Sequence, residues 1–335
     1  MYSKYFQKQK MMRTVLIALA PIIIYGIYVF GWRVLALLAF NIVVASGVEY
    51  ICERLMYNKN KVTEAAFVTA TILTMTLPPQ IPFWISGVGV AAAIFFGKEV
   101  FGGFGRNPFN PAIVGRAFIY INFPGYMLRW NEAANSQSFV SGLGGFTKWI
   151  TPLIDTSTSA TPMVDIATNG ATYSPLTLLL GNHGGSIGEI SALLILLGGA
   201  YMIYKKIASW ELMLSTMIGF LGISYLLIVL GFDADVLPPL EGILVGGFMF
   251  GAVFMVTDPI SAPKQSQAKW IYGIIVGVST VLIRSFANFP EGMMFAILIA
   301  EVFGPIIDYV FADINKKKRL AKKALEAQQA KAKEV

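Results

Sequence analysis

The chain of 335 residues is short of the residue types that build metal and disulfide sites, because it contains one cysteine and one histidine. The single Cys52 excludes a disulfide within the chain, a zinc cluster and a cysteine-ligated iron–sulfur centre built by this chain alone. We therefore expect no metal site. His183 lies among glycines and is predicted to be a surface turn residue rather than a ligand.

Charge is scarce as well. Charged residues make up 13% of the chain against 56% hydrophobic residues, and the mean hydropathy is +0.63. This composition predicts an all-α polytopic membrane protein rather than a soluble domain. The net charge of +7 comes from lysines and arginines in short clusters between apolar segments, where they set topology, so no nucleic-acid partner is expected.

Long apolar segments predict about ten transmembrane helices. The third, fifth and eighth segments are short and bounded by proline or glycine, which is typical of broken half-helices sheltered inside a bundle. The ten predicted segments cover, within a few residues, 14–30, 33–52, 62–77, 83–101, 110–121, 187–204, 212–231, 242–257, 270–286 and 292–311.

The distribution of lysine and arginine predicts the orientation, because loops facing the cytoplasm are enriched in both. An even number of spans with the basic N-terminal segment inside returns the lysine-rich tail to the cytoplasm. The long loop 122–186 is then predicted to face away from the cytoplasm, and the protein is expected in the cell membrane with both termini inside.

The sequence contains a weak internal repeat with an offset of about 181 residues. The Pro78-Pro79 stretch corresponds to Asp258-Pro259, and the stretch around Pro108 corresponds to that around Pro290. Five spans separate equivalent points, so the second copy is predicted to be inverted relative to the first. Generic proline spacing after helices is the alternative explanation. The predicted organisation is a first membrane repeat 1–122, an external loop 123–186, a second repeat 187–312 and a basic cytoplasmic tail 313–335.

Two segments could carry chemistry. The glycine-rich run 102–111 precedes a helix, so a phosphate-cradling loop is one interpretation, and a tight turn between closely packed helices is the favoured one. The external loop contains hydroxyl-rich residues from Asp155 to Pro162. Such a stretch is usually a solvated turn, but the Thr161 hydroxyl is also a possible acceptor for a phosphoester installed by a separate enzyme.

Five ordered blocks together resemble the NqrB/RnfD family, the membrane flavoprotein subunits of sodium-pumping NADH:quinone reductase and of the Rnf complex. The blocks are GGFGRNPFNPA at 102–112, ATP at 160–162, VTDPISA at 256–262, KWIYG at 269–273 and FPEGMM at 289–294. The flavin-attachment signature of this family is matched by Asp155, Thr158, Ser159, Ala160 and Thr161. The resemblance implies that Thr161 carries FMN through a phosphodiester bond made by an exported flavin transferase.

The resemblance further implies an electron relay without a catalytic acid or base on this chain, other subunits of the complex as partners, and a non-covalent riboflavin whose contacts are not assigned. The short segment before the first span favours the ferredoxin:NAD+ oxidoreductase branch, of Rnf type. The NqrB branch, from the Na+-translocating quinone reductase, is the alternative. A small-solute channel or permease is the alternative from a different class, because such proteins also use inverted repeats.

Carboxylates in or beside apolar segments are costly and often mark ion paths. Asp258, at the break in the second repeat, is the candidate for an ion path, and an ordinary helix cap and turn is the equal alternative. No role is assigned to Glu99, Glu301 or Asp308, although Glu301 is expected to face another subunit.

Overall fold

The computed structural model describes residues 6–131, 143–153, 161–170, 173–181, 183–232, 235–287, 289 and 292–333. In this part of the chain the architecture is helical, with one pair of parallel two-residue strands, β1 (Phe6–Gln7) and β2 (Val62–Thr63). The helices are α1 (Lys10–Phe30), α2 (Arg33–Tyr57), α3 (Glu64–Met75), α4 (Phe83–Gly97), α5 (Pro111–Asn122), α6 (Pro124–Met127), α7 (Pro162–Asn169), α8 (Pro175–Leu180), α9 (Ala192–Tyr204), α10 (Trp210–Val229), α11 (Pro239–Leu244), α12 (Phe248–Phe250), α13 (Ser266–Phe286) and α14 (Gly292–Lys333).

Six helices of the described residues are long and apolar enough to cross a membrane, namely α1, α2, α4 with the turn that follows it, α10, α13 and α14. The chain is thus an all-α polytopic membrane protein, as predicted. The third, fifth and eighth predicted segments are short helices or broken ones, as their proline and glycine boundaries indicate. The eighth consists of α11 and α12, and α12 continues as a π-helical turn, Gly251–Met255.

The sixth predicted segment, 187–204, starts too early, because its helix α9 begins at Ala192. The preceding residues bond to the end of α3 instead. The amide of Gly188 donates to the Met75 carbonyl at 2.7 Å, and that of Ile187 donates to the Leu77 carbonyl at 3.3 Å. A Cβ at position 188 would lie 2.6 Å from the Met75 Cβ, so glycine is what allows this close approach. The end of the loop before α9 is therefore attached to the first helix break.

The same pattern of helix–helix packing occurs in the two halves of the chain. Helix α2 packs on α4 and α4 on α5, while α10 packs on α13 and α13 on α14. This correspondence agrees with the predicted repeat, and the inversion of the second copy stays a prediction. Buried apolar side chains from both halves join in one core, and many of the exposed large hydrophobic side chains lie on the long helices that would face lipid.

The first helix break follows α3, where Pro78 and Pro79 cannot continue the helical hydrogen-bond ladder. The buried guanidinium of Arg33 donates to the carbonyls of Pro79 and Ile81, so it satisfies backbone groups that the break leaves without helical partners. Arg33, the first residue of α2, thus stabilises the backbone at the first helix break.

The last helix, α14, is 42 residues long and contains Pro305. At 1.5 Å per residue it measures about 63 Å, roughly twice the thickness of a hydrocarbon core. Its C-terminal part therefore extends well beyond any membrane-spanning portion.

Candidate functional site

Thr161 lies at the N-terminus of helix α7, where Pro162 occupies the first helical position. Its backbone is extended, and its hydroxyl oxygen accepts a long hydrogen bond of 3.4 Å from the Val164 amide. The hydroxyl is therefore a weak N-cap. The positive end of the helix dipole would favour a negatively charged group at this position.

Helix α7 is fixed to the second membrane half by a small hydrophobic cluster of its own. Met163 and Ile166 on α7 pack with Leu178 and Val245, all of them buried. The Met163 sulfur fits against Gly246, whose φ of +66° also favours glycine. The position of Thr161 is thus set by packing rather than by the loop alone.

Thr161 lines a cavity of about 540 Å³, open space at its mouth included. The cavity wall combines aromatic rings with polar groups and includes Tyr120, Trp130, His183, Ser186 and Glu189. The Ser186 hydroxyl is fully buried and has no hydrogen-bond partner among the described residues. A buried unsatisfied hydroxyl costs about 1–3 kcal/mol, so this atom has an unused capacity to bond a ligand.

A buried ion pair frames the inner wall of the cavity. Arg116 of α5 donates to Glu189 at 3.1 Å, and each side chain is 6% exposed. From the other side, the guanidinium of Arg284 donates to the carbonyls of Gly242, at 2.8 Å, and Gly246, at 2.5 Å. The wall near Thr161 is therefore tied to both membrane halves.

These features fit an FMN phosphoryl group on Thr161. A helix N-terminus accepts the anion, aromatic side chains offer apolar surface to a flat ring, and Ser186 offers a hydrogen bond. The other signature residues, Asp155, Thr158, Ser159 and Ala160, lie outside the described residues.

His183 departs from its predicted role. It lies in a turn, but it is partly buried and lines the cavity, and its Nδ1 is 2.9 Å from the Gly184 carbonyl. Burial lowers the pKa of its imidazole below the ordinary value of 6.5. No local sequence pattern signals this burial, because the cavity wall opposite His183 comes from distant parts of the chain.

Asp258 lies at the end of the second broken helix, beside a second cavity of about 620 Å³ that Asn110 and Thr257 also line. Its carboxylate accepts from the Ile260 amide at 3.2 Å and from the Ser261 hydroxyl at 3.2 Å. These bonds form the cap and turn that one interpretation predicted. They leave the carboxylate without a basic partner among the described residues, so the ion-path interpretation stays open.

Glu301 does not face the outside of the chain. It is 1% exposed, and its Oε1 accepts from the main-chain amide of Asn110 at 2.9 Å. The expectation that Glu301 faces another subunit is therefore wrong, because the face of α14 that carries it packs against the N-terminus of α5. The contact joins residues 191 positions apart, which no local pattern reveals.

The two remaining carboxylates, Asp308 and Glu99, make contacts that stabilise the fold. Asp308 accepts from the amides of Lys264 and Gln265, at 2.9 and 2.7 Å, and so caps the start of α13. Glu99 is buried next to the ion pair of Lys98 and Glu49, whose charged atoms are 2.7 Å apart. The Nζ atom of Lys98 is also 3.6 Å from the carboxylate of Glu99.

The glycine-rich run 102–111 forms a tight turn, in agreement with the favoured interpretation. Gly102, Gly103 and Gly105 all have positive φ, and Asn110 caps α5 by accepting from the Ala112 amide at 3.0 Å. No cluster of metal-ligating side chains occurs in the described ranges, so they offer no metal centre.

Comparison with known proteins adds a family and named relatives. The model of the NQR2, RnfD, RnfE family matches residues 2–317, so the chain belongs to this family. The B subunit of the Na(+)-translocating NADH-quinone reductase of Klebsiella pneumoniae (strain 342) is 38% identical over 268 residues, which cover 78% of this chain and 62% of that protein. The protein of the same name from Yersinia pestis is 38% identical over 79% of this chain and 63% of its own length. The protein of the same name from Pseudomonas aeruginosa (strain LESB58) is 39% identical over 79% of this chain and 64% of its own length. The chain thus spans less than two thirds of the length of these relatives.

Proposed function

Because the chain belongs to the NQR2, RnfD, RnfE family, we propose that it is the membrane flavoprotein subunit of an ion-translocating oxidoreductase complex. The relatives named above favour the NqrB branch, of the Na+-translocating NADH-quinone reductase, which was the alternative prediction. The Rnf branch depends on the short segment before the first span, and these relatives give it no added support. Other subunits of the complex would supply the NADH and quinone sites.

The observation that carries the proposal is the position of Thr161, at a helix N-terminus and on the wall of a cavity with a buried, unbonded hydroxyl. A flavin esterified to Thr161 would supply one-electron and two-electron redox chemistry. The tether would keep its local concentration high on a side of the membrane where a free cofactor is lost.

The residues around Thr161 have distinct parts in this proposal. Trp130 is 7% exposed, and with Tyr120 it would exclude water from the ring. The N-terminal end of α7 would favour the negative charge of the phosphoryl group, and Arg116 would offset the charge of Glu189 near that anion. We place Thr161 outside the cytoplasm, where an exported flavin transferase would reach it.

The test is covalent flavin on the denatured subunit, expressed together with a flavin transferase. Wild-type chain is expected to fluoresce in a denaturing gel and to exceed its polypeptide mass by one FMN moiety, and Thr161→Ala to lose both signals. Thr151→Ala is the control, because Thr151 is a threonine ten positions earlier in the chain and is buried, away from the attachment signature. A wild-type chain of bare polypeptide mass would contradict the proposal and favour the permease alternative.

A second measurement separates the branches. The purified complex in proteoliposomes is supplied with NADH and a quinone, or with reduced ferredoxin and NAD+, and 22Na+ uptake is followed. Uptake with NADH and quinone is expected. Uptake with the ferredoxin couple alone would assign the chain to the Rnf branch.

A further inference from the structure

The positive charge of the chain is concentrated in one short stretch of α14. The net charge is +7, and six lysines and arginines lie among residues 316–323, which contain no acidic side chain. The rest of the chain is therefore nearly neutral. All six basic side chains are exposed. We call them the basic collar: Lys316, Lys317, Lys318, Arg319, Lys322 and Lys323.

The basic collar surrounds the helix instead of marking one face of it. Because successive residues of an α-helix are rotated by about 100°, residues 316–319 alone cover a full turn. Two collar lysines have acidic neighbours, Lys317 with Asp313 at 2.8 Å and Lys322 with Glu326 at 3.9 Å. Such exposed pairs contribute little, and the other four collar side chains have no acidic partner in the described part of the chain. The collar thus presents positive charge in every direction around α14.

Contacts of α14 with its neighbours place the collar at the edge of the membrane. The side-chain amide of Asn315 donates to the side chain of Gln265 at 3.0 Å, so the turn before the collar lies beside the start of α13. Trp270, in the second turn of α13, packs edge-on against Trp210 at the start of α10, with ring centroids 6.2 Å apart. Tryptophan is enriched at membrane–water interfaces. A helix needs about 20 residues to cross a hydrocarbon core, so α14, which begins at Gly292, leaves that core shortly before the collar.

The direction of the collar side chains favours contact with lipid. Every Cα–Cβ bond of an α-helix is tilted towards the N-terminus, and the part of α14 before the collar is the part apolar enough to cross a membrane. The collar side chains therefore lean back towards the membrane surface, and their long stems carry the charges to it. Beyond the collar, residues 324–333 contain one glutamate and two lysines over about 15 Å of helix. An acidic soluble partner would need positive charge along this distal part, so the charge distribution favours lipid.

We propose that the basic collar binds the headgroups of anionic phospholipids and gathers these lipids around α14 where the helix leaves the membrane. The planar fork of Arg319 suits two oxygens of one phosphate, and the lysines act as point charges. The first turn of the collar lies within a Debye length of the headgroup layer, about 8 Å at physiological salt, so its attraction is only partly screened. Lipid binding fixes the depth of α14 in the membrane, and it requires neither flavin nor electron transfer.

The test identifies the lipids bound to the purified full chain. The chain is equilibrated in detergent micelles with equal amounts of phosphatidylglycerol and phosphatidylcholine that have the same acyl chains, and the bound lipids are counted by native mass spectrometry. Wild type is expected to retain phosphatidylglycerol in about fivefold excess, the ratio that one basic residue near an anionic surface produces. The double variant Lys316→Gln, Arg319→Gln is expected to lower this excess to about twofold. Equal amounts of the two lipids on the wild type would overturn the proposal.

The double variant Lys331→Gln, Lys333→Gln is the matched control, because it removes the same charge from the same helix farther from the membrane. It is expected to keep the wild-type excess, and an equal decrease in both double variants would refute the collar as the binding site. Lys316→Arg combined with Arg319→Lys keeps the charge and should keep the excess, so a loss there would also contradict the proposal. Inorganic phosphate in large excess is expected to leave phosphatidylglycerol bound. Displacement by phosphate would assign the collar to free anions instead of lipid.

Discussion

Thr161 and Glu301 show two different ways in which this chain positions a functional side chain. Thr161 begins an eight-residue helix, is partly exposed, and is held by a four-residue cluster and by main-chain bonds to Arg284. Glu301 lies inside a 42-residue helix, is 1% exposed, and bonds one amide. The proposed attachment of flavin to Thr161 requires a side chain that another enzyme can reach, whereas Glu301 is closed to bulk water. The two regions should therefore respond differently to mutation.

The largest difference is expected from Asp258→Asn. Asparagine keeps the shape and the acceptor for the Ile260 amide but carries no charge. Covalent flavin should stay at the wild-type level while ion uptake per NADH oxidised falls to the background level, measured with 22Na+ in proteoliposomes. Asp313→Asn, an exposed carboxylate paired with Lys317, is the control. An unchanged ratio of uptake to oxidation would remove Asp258 from the ion path.

The next effect concerns the frame of the Thr161 cavity. Arg116→Met leaves Glu189 as a buried unpaired charge, which should lower the free energy of unfolding by about 3–5 kcal/mol. Thermal unfolding in detergent measures this, and Arg116→Met combined with Glu189→Leu should recover most of the loss. If the single and double variants are equally unstable, the ion pair is not what fixes this wall.

A smaller effect is expected where α7 contacts the second half. Gly246→Ala places a methyl group against the Met163 sulfur, at a φ of +66°. We expect a loss of about 1–3 kcal/mol and slower flavin attachment at Thr161, followed by in-gel fluorescence over time. Gly222→Ala, in open space within α10, should have no such effect. A normal attachment rate in Gly246→Ala would show that α7 is positioned by other contacts.

The smallest effect is a pH dependence at His183. Burial lowers the pKa of the folded imidazole below 6.5, so below that pH the unfolded chain takes up the proton more readily and stability decreases as the pH falls. Above 6.5 the imidazole is neutral in both states and contributes no slope. His183→Gln should flatten this decline, measured by thermal unfolding from about pH 7.5 to about pH 5. An unaltered pH profile would mean that His183 is protonated as easily in the fold as in the unfolded chain.

Local chemistry explains why the helix breaks could be predicted from the sequence, whereas flavin attachment at Thr161 comes from the family resemblance and stays a prediction. Pro78, Pro79 and Pro259 follow helix ends in the structure, and Gly102, Gly103 and Gly105 have positive φ in their turn. The long apolar segments likewise predict the membrane class.

What the sequence could not predict depends on contacts between distant residues. Arg116 pairs with Glu189, 73 positions away. Glu301 bonds an amide 191 positions away rather than facing a partner. Hydropathy misplaces the start of α9 because it does not register the backbone bonds that hold the preceding residues to the end of α3.

The proline in the last helix has a mechanical consequence. Pro305 has no amide hydrogen, so the main-chain carbonyl of Glu301 loses the donor that an unbroken helix would supply four residues later. A bend of the helix at Pro305 would therefore lie within about one turn of the buried Glu301 carboxylate. Because about 42 Å of helix follow Pro305, a tilt of about 10° at that point would displace the Lys333 end by about 7 Å.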